Sequence, residues 1–163
     1  MFAQVFTPNR QSSSALAKKF AHQVLIIWGV SAIWLRLFAI LSPHTLAAEA
    51  EAVGSSSPFV TWLFALVISP IVETLILAYS VTIVKQIYQK RAVALAIAPI
   101  PICLLHAFAY WQLSILVYPP FWMQGVIYDN SNNVYGTKKS LFYVAMLHMV
   151  CNTITLIFDK LTA

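Results

Sequence analysis

The sequence predicts an all-α membrane protein, a polytopic bundle of about five transmembrane helices, and three observations carry that expectation. Of the 163 residues, 60% are hydrophobic and only 9% are charged, with a mean hydropathy of +0.77; no soluble domain of this size covers so much apolar surface. The apolar residues fall in runs long enough, at about 1.5 Å of helix per residue, to cross a hydrocarbon layer about 30 Å thick. The basic residues sit in short clusters between these runs, so the net charge of +5 reads as topology information, and no nucleic-acid partner is expected. Cys103 and Cys151 both lie inside apolar runs, which does not suit a secreted disulfide framework.

Residues 1–19 carry Arg10, Lys18 and Lys19 and no acid, the composition of a basic cytoplasmic tail; an organellar transit peptide shares it. The first span follows at about 20–41. Arg36 lies near its far end, where a long side chain snorkels to the interface, and Trp28 and Trp34 suit interfacial positions. A cleaved signal region, with its site among the small residues at 46–50, is the alternative. Residues 42–57 contain Glu49 and Glu51 but no Lys or Arg, which puts this loop outside. The second span, 58–84, is long enough to tilt or kink. Pro70 removes one backbone hydrogen bond from its middle, and Glu73, three residues on, is the only acid in any span.

A basic loop at 85–91 returns the chain to the cytoplasm. Residues 92–128 then contain no Asp, Glu, Lys or Arg. They are read either as one span with an apolar loop or as two spans, 92–110 and 111–128, joined by a turn near Tyr110-Trp111-Gln112. The second choice leaves eight of the ten basic residues inside and is adopted, with Pro119-Pro120 kinking the fourth helix. The polar stretch 129–139, DNSNNVYGTKK, reads as a turn-rich loop. The last span is 140–158, and the chain is a single membrane domain over 1–163. A bacterial inner membrane with the amino terminus in the cytoplasm is the expected setting, an organelle membrane the alternative.

The last span holds the polar pair His148 and Asn152, which at i and i+4 share one helix face. Intramembrane polar groups of this kind serve as helix-packing contacts or as functional sites. Counted from the cytoplasmic ends of their helices, Glu73, His106 and His148 lie at depths of roughly 16, 21 and 12 Å, one layer once tilt is allowed for. A carboxyl, two imidazoles and an amide on three helices would then converge. Such a set suits hydrolysis: Glu73, helped by His106, takes a proton from water, and His148 and Asn152 supply donors to the oxyanion that forms.

Pro70-Ile-Val-Glu73-Thr74, Ile102-Cys-Leu-Leu-His106 and His148-Met-Val-Cys-Asn152 resemble, in order and placement, the three motifs of the CPBP family, the CAAX prenyl endopeptidase and bacteriocin-processing type of glutamic intramembrane protease. The likeness covers about 58–158. It implies a peptidase acting on a membrane-associated protein or peptide, with Glu73 and His106 activating water, His148 and Asn152 forming the oxyanion site, and no cofactor. Three positions depart from the motifs: the second Glu is Thr74, the Arg is Ala78 and the Phe is Ile102. A catalytically inactive, protease-like binding or assembly subunit is therefore the alternative. Two further readings use the same residues. Glu73, His106 and His148 would be the ligands of a divalent metal, or Cys103 and Cys151 would join the two histidines around zinc; alternatively, the two imidazoles would hold a haem axially.

Overall fold

The computed structural model describes residues 13–41, 58–108 and 111–162, and these form a series of helices, with no strand among them. Helix α1 spans Ser13–Leu41, and α2 (Pro58–Leu63) runs through one π-helical turn (Phe64–Ile68) into α3 (Ser69–Ile87). Helices α4 (Arg91–Ile97) and α5 (Ile100–Ala107) follow, then α6 (Trp111–Tyr135) and α7 (Thr137–Thr162). Among the described residues three stretches are long and apolar enough to cross a membrane, 14–37, 64–87 and 137–157, and 91–107 forms a shorter apolar pair of helices. The described residues are thus helical, and their apolar stretches suit embedding in a membrane.

The elements differ from the sequence-based expectation in three places. Helix α1 begins at Ser13, so Lys18 and Lys19 ride on a helix rather than a tail; Arg10, the 42–57 loop and the cleavage site at 46–50 lie outside the described residues. The helix expected over 92–110 is broken at Ala98–Pro99. Pro99 and Pro101 have no N–H to continue the ladder, and the amides of Ile102 and Cys103 both turn back to the Pro99 carbonyl. Of the polar loop expected at 129–139, residues 129–135 are instead the last two turns of α6 and 137–139 begin α7. Asp129 is buried and bound by Lys85 Nζ at 2.5 Å and Arg91 Nε at 2.6 Å, while Arg91 Nη2 donates to Asn130 Oδ1 at 2.5 Å. Those cations hold in helical form a stretch whose local preference is for turns. Gly136, at φ +77°, makes the turn into α7 alone, in the left-handed region that suits glycine.

Among the described residues the helical ladder is opened at three sites, two of them by a proline and one by the break between α4 and α5, and each time a side chain from another helix reaches a freed carbonyl. In the π-helical turn the Ser69 amide donates to Phe64 O, which takes away the usual donor to Ala65 O; the next amide belongs to Pro70 and has no hydrogen. Asn152 Nδ2, from α7, donates to that Ala65 carbonyl at 2.8 Å. Pro119 leaves Ile115 O without its helical donor, and Trp34 Nε1 of α1 reaches it at 3.1 Å. At the broken end of α4, Tyr118 Oη of α6 donates to Ala96 O at 2.8 Å. In hydrocarbon an unsatisfied carbonyl costs several kcal/mol, so these bonds fix which helices sit side by side.

Apolar packing completes the bundle. Leu77, Ala78 and Val81 of α3 meet Leu95, Ala98 and Ile102 of the α4–α5 pair and Phe121, Tyr128 and Val144 of α6 and α7. Val24 and Ile27 attach α1 to Leu147 and Cys151 of α7. Lipid offers apolar groups the same environment as a neighbouring helix, so close packing and interhelical hydrogen bonds hold such a bundle, with little help from water exclusion.

Candidate active site

The π-helical turn and Pro70 set the start of α3 against α7, and Glu73 lies about two turns beyond Ala65, where Asn152 ties the two together. The break at Ala98–Pro99 swings α5 inward so that His106, in its last turn, faces the same place. His148 comes from the middle of α7, which packs directly on α3. Glu73 therefore lies between two imidazoles: Oε1 is 3.5 Å from His106 Nε2, and Oε2 is 3.5 Å from His148 Nε2. Phe121 of α6 touches both rings, with centroids 5.9 Å from His106 and 5.3 Å from His148, the latter edge-on. The side chains of Glu73 and His148 are 13% and 8% exposed against 27% for His106, so the cluster is approached from the His106 side.

Hydrogen bonding fixes the protons. His106 Nδ1 lies 2.9 Å from Ile102 O; a carbonyl only accepts, so Nδ1 carries a hydrogen. The other nitrogen, Nε2, faces Glu73 Oε1, which already accepts from Ser69 Oγ at 2.6 Å. Two bare lone pairs would repel across that edge, a repulsion that a proton on either member of the Glu73–His106 pair, the carboxyl or the ring, relieves. The pair is neutral overall in both arrangements, which avoids the cost of net charge in hydrocarbon and lets the proton move without creating any. His148 Nδ1 is buried with no partner among the described residues. Its Nε2 faces a carboxyl oxygen, so the tautomer with hydrogen on Nε2 is favoured, a donor aimed at the centre of the cluster.

Of the four sequence-derived residues, the structure brings Glu73, His106 and His148 together. Asn152 is one turn along α7 from His148, with its amide on Ala65 O. Among the described residues no group of three or more His, Cys, Asp or Glu is arranged to hold a metal ion. The Glu73 carboxyl occupies the space between the two Nε2 atoms, where an axially held haem would sit. The motif departures are part of the core: Thr74 is 2% exposed, Ala78 6% and Ile102 0%, with Ala78 and Ile102 in one apolar cluster.

Two residues escaped the sequence reading. Ser69 was legible, because a serine four residues before Glu73 shares its helix face. Phe121 was not, since nothing in Pro119-Pro120-Phe121 points toward a histidine. Comparison with protein-family models, with curated proteins and with solved structures finds no match.

Proposed function

We propose that this chain is a five-span intramembrane endopeptidase of the CPBP, CAAX-protease-like type, seated in a bacterial inner membrane with its basic end in the cytoplasm. The reading rests above all on the Glu73 carboxyl standing 3.5 Å from each of two imidazoles borne by different helices. In the proposed reaction, water held at the Glu73–His106 edge gives a proton to this pair as its oxygen adds to the peptide carbonyl carbon. The carbonyl oxygen becomes an oxyanion and is met by the Nε2–H of His148 and by Asn152 Nδ2, which has a second hydrogen besides the one given to Ala65. Collapse breaks the C–N bond, and the proton passes to the leaving nitrogen, yielding a carboxylic acid and an amine. Ser69 holds Oε1 in place from below. The substrate is a membrane-associated protein or peptide whose scissile bond reaches the cluster past His106.

The experiment is cleavage of a panel of membrane-protein reporters by the purified chain in liposomes, with product termini read by mass spectrometry. Glu73→Gln and His148→Ala should each abolish cleavage while far-UV circular dichroism stays helical. Wild-type rates from both variants would end the proposal. A second reading, an inactive protease-like assembly subunit, is favoured by the engagement of Asn152 with Ala65 and by the apolar filling at Ala78 and Ile102. It predicts that the wild-type chain cleaves nothing in the panel.

A further inference from the structure

Seven cations, Lys18, Lys19, Lys85, Lys90, Arg91, Lys138 and Lys139, gather at one end of the bundle among the described residues, against a single acid there, Asp129. At this end α1, α6 and α7 leave a cleft of about 70 Å³ whose polar lining is Lys19, Gln23, Asn130, Ser131, Tyr135 and Tyr143. Its hydrogen-bond polarity follows from the bonds already made. Tyr143 Oη donates to Gln23 Oε1 at 2.5 Å, and Arg91 Nη2 donates to Asn130 Oδ1 at 2.5 Å. A carboxamide has one oxygen and one NH₂; with both oxygens held, Gln23 and Asn130 have chiefly N–H left to give. Lys19 adds an ammonium. Tyr143 and Ser131, which donate to Gln23 and to Tyr128 O, keep lone pairs that suit that ammonium. No carboxylate lines the cleft, and the oxygens of Asp129 are bound by Lys85 and Arg91.

The geometry points to an anion site that takes the phosphate of an anionic phospholipid headgroup, between α1, α6 and α7. Oriented amide N–H groups beside an ammonium are the donor set a phosphate selects, and the small volume fits a phosphate-sized group, not a nucleotide. A lipid is the source because the cleft lies at the ends of two helices long enough to cross a membrane, 14–37 and 137–157, where headgroups sit. Leu16 and Ile127 complete its lining and offer apolar contact to the first carbons beyond the headgroup. The surrounding basic residues add the general attraction of an anionic leaflet. This site is separate from the Glu73 cluster and stands whether or not the chain is a peptidase.

Binding is measured by native mass spectrometry of the full chain in detergent, titrated with phosphatidylglycerol, with phosphatidylcholine and with inorganic phosphate. Gln23→Glu keeps an acceptor for Tyr143 and replaces the NH₂ by a charged oxygen; Lys19→Met removes the ammonium. Phosphatidylglycerol should bind at least about tenfold more tightly than phosphatidylcholine and lose about tenfold in either variant, while Lys18→Met, outside the cleft, changes it little. If Gln23→Glu does not fold, Gln23→Met carries the same comparison. Equal binding of the two lipids, or equal losses from Lys18→Met and Lys19→Met, would reduce the cleft to non-specific attraction and overturn the inference. Displacement of the lipid by millimolar inorganic phosphate would overturn it in favour of a free-anion site.

Discussion

Replacing Asn152 by Leu, close to it in shape, removes the side-chain donor that the Ala65 carbonyl has among the described residues. That carbonyl lacks a helical donor for a local reason: Ser69 N–H is diverted to Phe64 O, and residue 70 is proline. An unmet buried carbonyl costs about 1–3 kcal/mol, whereas hydrogen bonds between membrane helices average about 0.6 and reach about 1.7 kcal/mol. We expect Asn152→Leu to destabilise the fold by about 1–2 kcal/mol, roughly a 5- to 30-fold change in the unfolding equilibrium. Pro70→Ala restores an N–H in π-helical register with Ala65 O, so the same substitution in that background should cost about 0.5 kcal/mol or less. Unfolding in lipid–detergent bicelles by added dodecyl sulfate, followed by tryptophan fluorescence, gives all four stabilities. An equal loss in both backgrounds would refute the argument that proline and π-turn together create the need Asn152 meets. Peptidase activity in the doubly substituted chain adds a separate test: if Asn152 also serves the oxyanion, activity stays lost when stability returns.

Trp34→Phe removes the donor to Ile115 O left open by Pro119 and should cost about 1 kcal/mol in the same unfolding assay. Gly136→Ala meets no atom within 4 Å but must hold φ +77°, so it should lose about 1–2 kcal/mol from backbone strain alone. Burial raises the pKa of Asp129, but hydrogen bonds from Lys85 and Arg91 and their charges outweigh it, leaving the carboxyl below its ordinary range. A carboxyl with a lower pKa when folded stabilises above its unfolded value near 3.9 and loses that stabilisation as pH falls through the folded value. Thermal melts should therefore be level with respect to this group from neutral pH to about pH 4 and decline below it. In Asp129→Asn that acid decline should shrink, with a loss of about 1–3 kcal/mol at pH 7.

The helical class and the apolar segments were legible because run length against bilayer thickness is a strong constraint. The shared layer of Glu73, His106 and His148 was legible too, since depth follows from counting residues along a helix. What counting omits is rotation and bending. His106, the deepest of the three by residue count, is brought to Glu73 by the break at Pro99, whose effect on direction no periodicity reports. Asn152 shares a face with His148 as its spacing requires, yet its amide goes to a carbonyl freed by a π-helical turn, a feature that a proline hints at without locating. The stretch 129–135 is helical against its own preference because Lys85 and Arg91, about 40 residues earlier, bind Asp129. Such long-range pairing is invisible to a window of neighbours.

Carbon–nitrogen dipolar couplings by solid-state NMR, on chain reconstituted in bilayers with labelled Glu carboxyl carbons and His Nε2, test the central geometry most directly. Coupling of the Glu73 carboxyl to both rings, each lost separately in His106→Gln and His148→Gln, is the result a pair of 3.5 Å contacts requires. A Glu73 carboxyl uncoupled from either imidazole would contradict the account, because the shared proton and the proposed hydrolysis both depend on that proximity.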